Sequence, residues 1–188
     1  MNKILLLVIF LLTKSIYLPL NKRISKYYWK IKFDDRIPFI PVFIIPYIGY
    51  FFYVAATIIY LWNTKYINSF FVTYIISYIL AGLFWYFVPN GVKRPKITSK
   101  DIFSRLTTFI YKYDDDTNGF PSAHVLASLT CSYFLTFAFP QQIIFIWSMN
   151  FLICISTIFV KQHYVLDIFG GIIFFFVSIL LGSLFITI

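Results

Sequence analysis

Apolar residues run through this chain in uninterrupted stretches of about 20, the length an α-helix needs to cross a bilayer. Five are clear: Phe43 to Trp62, Ile67 to Val88, Pro121 to Phe139, Gln141 to Val160 and Tyr164 to Ile188. Pro121 suits a first helical turn, and Pro140 marks the turn between the third and fourth stretches. Ile4 to Leu20 is a sixth stretch, interrupted by Lys14. Lys3 before an apolar run is also how a signal peptide opens, but no small-x-small cleavage site follows, so an uncleaved first helix is expected. The pattern predicts an all-α fold: a polytopic membrane protein, a six-transmembrane-helix bundle in a single domain over 1–188.

The polar gaps then acquire sides. Counting helices places the Val88–Pro121 loop and the Val160–Tyr164 turn on the same membrane face, whether or not the first stretch spans. Lys93, Arg94, His124, Lys161, His163 and Asp167 therefore share that face. Asn21 to Arg36 falls there too and is expected to lie along the interface, with Tyr27, Tyr28 and Trp29 as anchors.

Composition agrees with the pattern. Of 188 residues, 60% are hydrophobic, 23% aromatic and 12% charged; the mean hydropathy is +0.81. These values belong to integral membrane proteins. The net charge of +9 would suggest nucleic acid in a soluble protein. Here the cations cluster in loops between apolar stretches, so they read as membrane-surface and phosphate-binding groups, and no nucleic-acid partner is expected. Cys131 and Cys154 each stand alone in an apolar stretch and read as buried thiols.

The candidate chemistry gathers at the shared face. His163 and Asp167 are spaced i, i+4, so a carboxylate can fix the imidazole tautomer and leave the other nitrogen free to attack. An acidic residue just inside a spanning stretch is costly without a role. Ser122 and the backbone N–H groups of Ala123 and His124 fall at a helix start, where unpaired donors and the helix dipole attract an anion. His124 can donate a proton to a leaving oxygen. Arg94 suits bidentate phosphate binding and Lys93 a point charge. Asp114, Asp115 and Asp116 cannot all point inward and read as a solvated loop; no metal site and no cofactor are expected.

In order and placement, Arg94-Pro95, then Pro121-Ser122-Ala123-His124, then His163 with Asp167 resemble the motifs of the type 2 phosphatidic acid phosphatase superfamily. Asp114 and Asn118 leading into Phe120-Pro121-Ser122, with Lys161-Gln162-His163-Tyr164, are most similar to its inositol phosphorylceramide synthase-like branch. The resemblance implies a nucleophilic His163 that forms a phosphohistidine, an orienting Asp167 and a proton-donating His124. It implies a phosphate held by Arg94, Ser122 and nearby amides without a metal. It also implies an extracytoplasmic or lumenal site, whereas the cations would put this face in the cytoplasm by the positive-inside rule.

Three positions depart from the family pattern. The early Lys, seven residues before Arg94, is Phe87, with Lys93 as the expected substitute; the motif Gly is Ala123; and Ser-Arg is Ser156-Thr157. Lys161, four residues after Thr157, is expected to restore the missing charge. The resulting expectation is an integral membrane enzyme acting on a lipid phosphate or lipid-linked headgroup, as hydrolase or transferase. The rival is a non-catalytic lipid-binding or scaffolding protein that keeps the fold.

Overall fold

In the computed structural model, which describes residues 2–185, the apolar stretches are all helical. α1 (Lys3–Ser15) continues through Ile16 into α2 (Tyr17–Asn21). The others are α3 (Ile44–Leu61), α4 (Ile67–Phe87), α5 (Ile102–Tyr113), α6 (Ala123–Ala138), α7 (Ile143–Phe159) and α8 (Val165–Ser183). Among the described residues five spans are long and apolar enough to cross a membrane: Lys3–Asn21, Pro41–Leu61, Ile67–Phe87, Pro140–Phe159 and Val165–Ser183. The expected tail of the last stretch, 186–188, lies outside the described residues.

The sixth apolar helix, α6, is shorter than expected. Pro121 stays outside it and Ser122 is its N-cap, leaving 16 residues. At 1.5 Å per residue that is about 24 Å, less than the ~30 Å hydrocarbon core. Its surroundings explain the length. α6 packs against α3, α4, α7 and α8, and most of its side chains are buried. A helix enclosed by other helices need not match the thickness of the lipid.

Aromatic packing joins the first span to this core. Phe10 of α1 meets Phe71 and Tyr74 of α4 at ring separations of 5.5 and 4.5 Å. Buried tyrosine hydroxyls satisfy one another, as they must away from water: Tyr50 pairs with Tyr74 at 3.2 Å and Tyr78 at 2.9 Å.

The polar face is a built cap. Asn21 donates to the Thr117 carbonyl at 2.9 Å and accepts from the Asp115 N–H at 2.9 Å. Asn90 donates to the Val88 and Phe120 carbonyls at 2.8 and 2.9 Å, tying the exit of α4 to the entry of α6. The segment after Asn21 is extended and turned, with Tyr27 and Tyr28 exposed and Trp29 packed edge-on against Phe120 at 4.6 Å. The sequence reading also lacked α5, which Asp101 caps by accepting from the Phe103 and Ser104 N–H groups, both at 3.0 Å.

Candidate active site

His163 owes its position to the end of α7. Lys161 takes a left-handed conformation (φ 55°) that stops the helix. The N–H groups of Gln162 and His163 then both donate to the Thr157 carbonyl, at 2.9 and 3.1 Å. His163 therefore stands just before α8 rather than within it. Asp167, in the first turn of α8, reaches back. Its Oδ2 accepts from the Tyr164 N–H at 2.8 Å and lies 3.3 Å from His163 Nδ1. The His163 and Asp167 side chains are 7% and 2% exposed. With Nδ1–H turned to the carboxylate, Nε2 carries the free lone pair.

The start of α6 meets this turn because α8 carries two glycines. A Cβ on Gly171 would stand 2.8 Å from Val125 Cβ and 3.1 Å from the Ser122 carbonyl oxygen, and the Phe120 ring lies directly on Gly170. This close approach lets the Ser122 N–H donate to the Asp167 carbonyl at 3.0 Å. Ser122 Oγ accepts from the Val125 N–H at 3.5 Å. The Ala123 and His124 N–H groups lie ahead of the intrahelical ladder. The His124 ring stacks on Tyr47 at 4.2 Å and lies 5.9 Å from the His163 ring. Both His124 nitrogens are buried without a hydrogen-bond partner in the protein.

Arg94 is held beside Gln162, the residue before His163. Its guanidinium donates to the Asp114 and Asp115 carbonyls at 2.5 and 2.6 Å and to Gln162 Oε1. Arg94 Nε and Gln162 Nε2 remain buried and unpartnered. Two unsatisfied donors on neighbouring side chains, with a fixed positive charge, suit an anion. Gln162 belongs to this cluster, although the sequence reading gave it no role.

The other cations are placed differently. Lys161 donates to the Asp34 carbonyl at 3.4 Å and to the Ile37 carbonyl, and burial lowers its pKa. It fastens the 31–37 turn instead of extending a free charge toward His163. Asp34 completes that fastening by accepting from the Val165 N–H at 2.9 Å. Thr157 is fully buried, with its hydroxyl on the Cys154 carbonyl at 2.7 Å. Phe87 is 72% exposed at the end of α4. Lys93 lies over the Tyr28 ring at 5.2 Å, and its N–H donates to the Tyr164 hydroxyl at 3.0 Å.

The aspartate run is not simply solvated. Asp115 pairs with Lys22 at 3.1 Å, and Asp116 accepts from Tyr28 at 3.3 Å. Asp114 turns inward, accepting from Tyr17 at 2.9 Å and Tyr47 at 3.3 Å. Burial pushes its pKa up, opposed by the Arg94 charge. Their divergence explains why the run forms no ligand cluster; among the described residues no three His, Cys, Asp or Glu are grouped as metal ligands.

A polytopic helical membrane protein with a buried histidine pair and an anion-ready cluster at one face is a defined class of architecture. The match to the PAP2 superfamily over residues 64–187 is more specific, and the chain belongs to that superfamily. Searches of curated proteins and of solved structures give no match. Membership supports a phosphatase- or phosphotransferase-type activity at a membrane.

Proposed function

We propose that this protein takes a phosphoryl group from a lipid phosphate or lipid-linked headgroup onto His163 and passes it to water or an acceptor alcohol. His163 Nε2 is the nucleophile, and Asp167 fixes its tautomer and stabilises the imidazolium character that develops. His124 protonates the leaving oxygen. Arg94, Gln162, Ser122 and the Ala123 and His124 amides bind the phosphoryl oxygens, where fixed donors stabilise developing charge. Lys93, exposed at the rim, attracts the anionic substrate. No metal is required, because the chain's own donors supply the charge. Lys161 serves by holding the turn that carries Gln162 and His163.

The observation that carries this reading is the unequal histidine pair. One ring is locked to a carboxylate. The other, 5.9 Å away, has no partner for either nitrogen. Buried polar atoms normally find partners, so the free nitrogens and the unpartnered Arg94 and Gln162 donors point to a bound ligand. The superfamily resemblance favours an extracytoplasmic or lumenal side for the site. Likeness to the inositol phosphorylceramide synthase-like branch favours an alcohol acceptor alongside water.

The test is incubation of purified protein with labelled lipid phosphates, with and without acceptor alcohols, in EDTA. Release or transfer of label under chelation supports the reading. Activity lost in EDTA and restored by magnesium removes its metal-free part. No turnover of any lipid phosphate, with no vanadate binding, favours a scaffold that retains the fold.

A further inference from the structure

His163 is oriented by Asp167, whereas neither nitrogen of the buried His124 ring has a partner in the protein. An imidazole without a hydrogen bond can turn about its last side-chain torsion, and a proton donor must point at the oxygen it serves. Ring contacts hold His124 instead. Tyr47 stacks on it at 4.2 Å with the planes 27° apart, and Tyr50 lies at 4.4 Å with its plane tilted by 48°. Tyr47 and Tyr50 are three residues apart on α3, so both rings leave the same helix face, and α3 packs against α6.

Both rings are fixed at their far ends. The Tyr50 hydroxyl is bonded to those of Tyr74 and Tyr78 on α4. Tyr47 donates to Asp114 Oδ2 at 3.3 Å, and Tyr17 of α2 donates to Asp114 Oδ1 at 2.9 Å. The Asp114 backbone carbonyl accepts from Arg94. Asp114 thus joins two parts of the site. Its backbone steadies the guanidinium assigned to the phosphate, and its carboxylate steadies the ring that lies on His124. The two histidines are therefore oriented by different contacts: a carboxylate at the edge of the His163 ring, and tyrosines on the faces of the His124 ring.

We infer that Tyr47 and Tyr50 are positioning residues that clamp His124 in line with the leaving oxygen, and that Asp114 sets the clamp by anchoring Tyr47. The inference rests on the phosphotransfer reading above, in which His124 is the acid. As His163 Nε2 bonds to phosphorus, the bond from phosphorus to the leaving oxygen breaks and its electron pair goes to that oxygen. His124 gives the oxygen a proton and keeps the N–H electron pair. That proton matters most when the leaving group is a strongly basic alkoxide and least when it is a stable nitrophenolate. A misdirected His124 ring therefore slows the first kind of departure far more than the second, and a misplacement of about 1 Å can cost about a hundredfold.

The experiment uses the full chain in lipid nanodiscs. It compares a long-chain alkyl phosphate with a nitrophenyl phosphate carrying the same alkyl chain, and reads the rate at which each leaving group departs in the first turnover. Tyr47→Leu should slow the alkyl phosphate about ten- to a hundredfold and the nitrophenyl phosphate much less, with vanadate affinity retained. Tyr47→Phe keeps the ring and loses the anchor; Asp114→Asn keeps the backbone carbonyl for Arg94. Both should show the same selectivity at smaller size, and both stay close to the wild type in shape, so they decide the case should Tyr47→Leu fail to fold. His124→Ala is the reference for complete loss of the acid. An equal fall for both substrates in the Tyr47 and Asp114 variants, or no fall for either, overturns the clamp even where His124→Ala is selective. His124→Ala without selectivity removes the acid assignment and the clamp with it. Turnover of neither substrate by the wild type removes the phosphotransfer reading itself.

Discussion

One carboxylate oxygen organises the candidate chemistry: Asp167 Oδ2 faces His163 Nδ1 and also accepts the Tyr164 N–H. Asp167→Asn keeps the size of the side chain and removes its charge. Its turnover should fall on the order of a thousandfold or more, as when the carboxylate of a hydrolytic triad becomes an amide, with only a few degrees' change in thermal midpoint. A near-wild-type rate would leave Asp167 as a helix cap. His124, His163, Asp167 and Arg94 were legible in sequence because ionisable residues stand out at the ends of apolar runs. Gln162 was not, because an uncharged amide carries no such signal. Lys161 misled because its partners, Asp34 and Ile37, lie more than a hundred residues away in the chain. Asp114 misled in a similar way, its hydroxyl partners standing 97 and 67 residues away on α2 and α3.

Between elements, the contact that matters most is the start of α6 against the glycines of α8. Even one carbon on Gly171 would meet Val125 at 2.8 Å. Gly171→Val must part the helices and stretch the Ser122–Asp167 hydrogen bond. Overpacking of this kind costs about 1–3 kcal/mol, and turnover should drop more than tenfold. Gly49→Ala is the matched control, because nothing lies within 4 Å of its new Cβ. Thermal denaturation and turnover of the two variants check this, and equal behaviour would contradict it. The apolar runs announced the spanning helices, since length and hydropathy are properties of the chain itself. The amphipathic α5 was missed because its polar residues blend into a charged loop. The early stop of α6 was missed because enclosure by four other helices cannot be read from one segment.

Across the whole molecule, helix parity puts every Lys and Arg except Lys3, Lys14 and Lys65 at the face that carries the histidines. The cap on that face joins the segments after α2, α4 and α7, bringing residues far apart in sequence together beside the histidine pair. The bundle's sidedness was legible from counting alone; the cap's internal bonding was not, because it depends on asparagine and backbone contacts between distant loops. The account depends on His163 becoming covalently phosphorylated. The most direct measurement is rapid-quench trapping with a lipid phosphate labelled in its transferable phosphoryl group, comparing wild type with His163→Ala. The account predicts an acid-labile, alkali-stable phosphoenzyme in the wild type, located at His163 by mass spectrometry, and none in the variant. The same labelled species in His163→Ala, or label on another residue of the wild type, would contradict it.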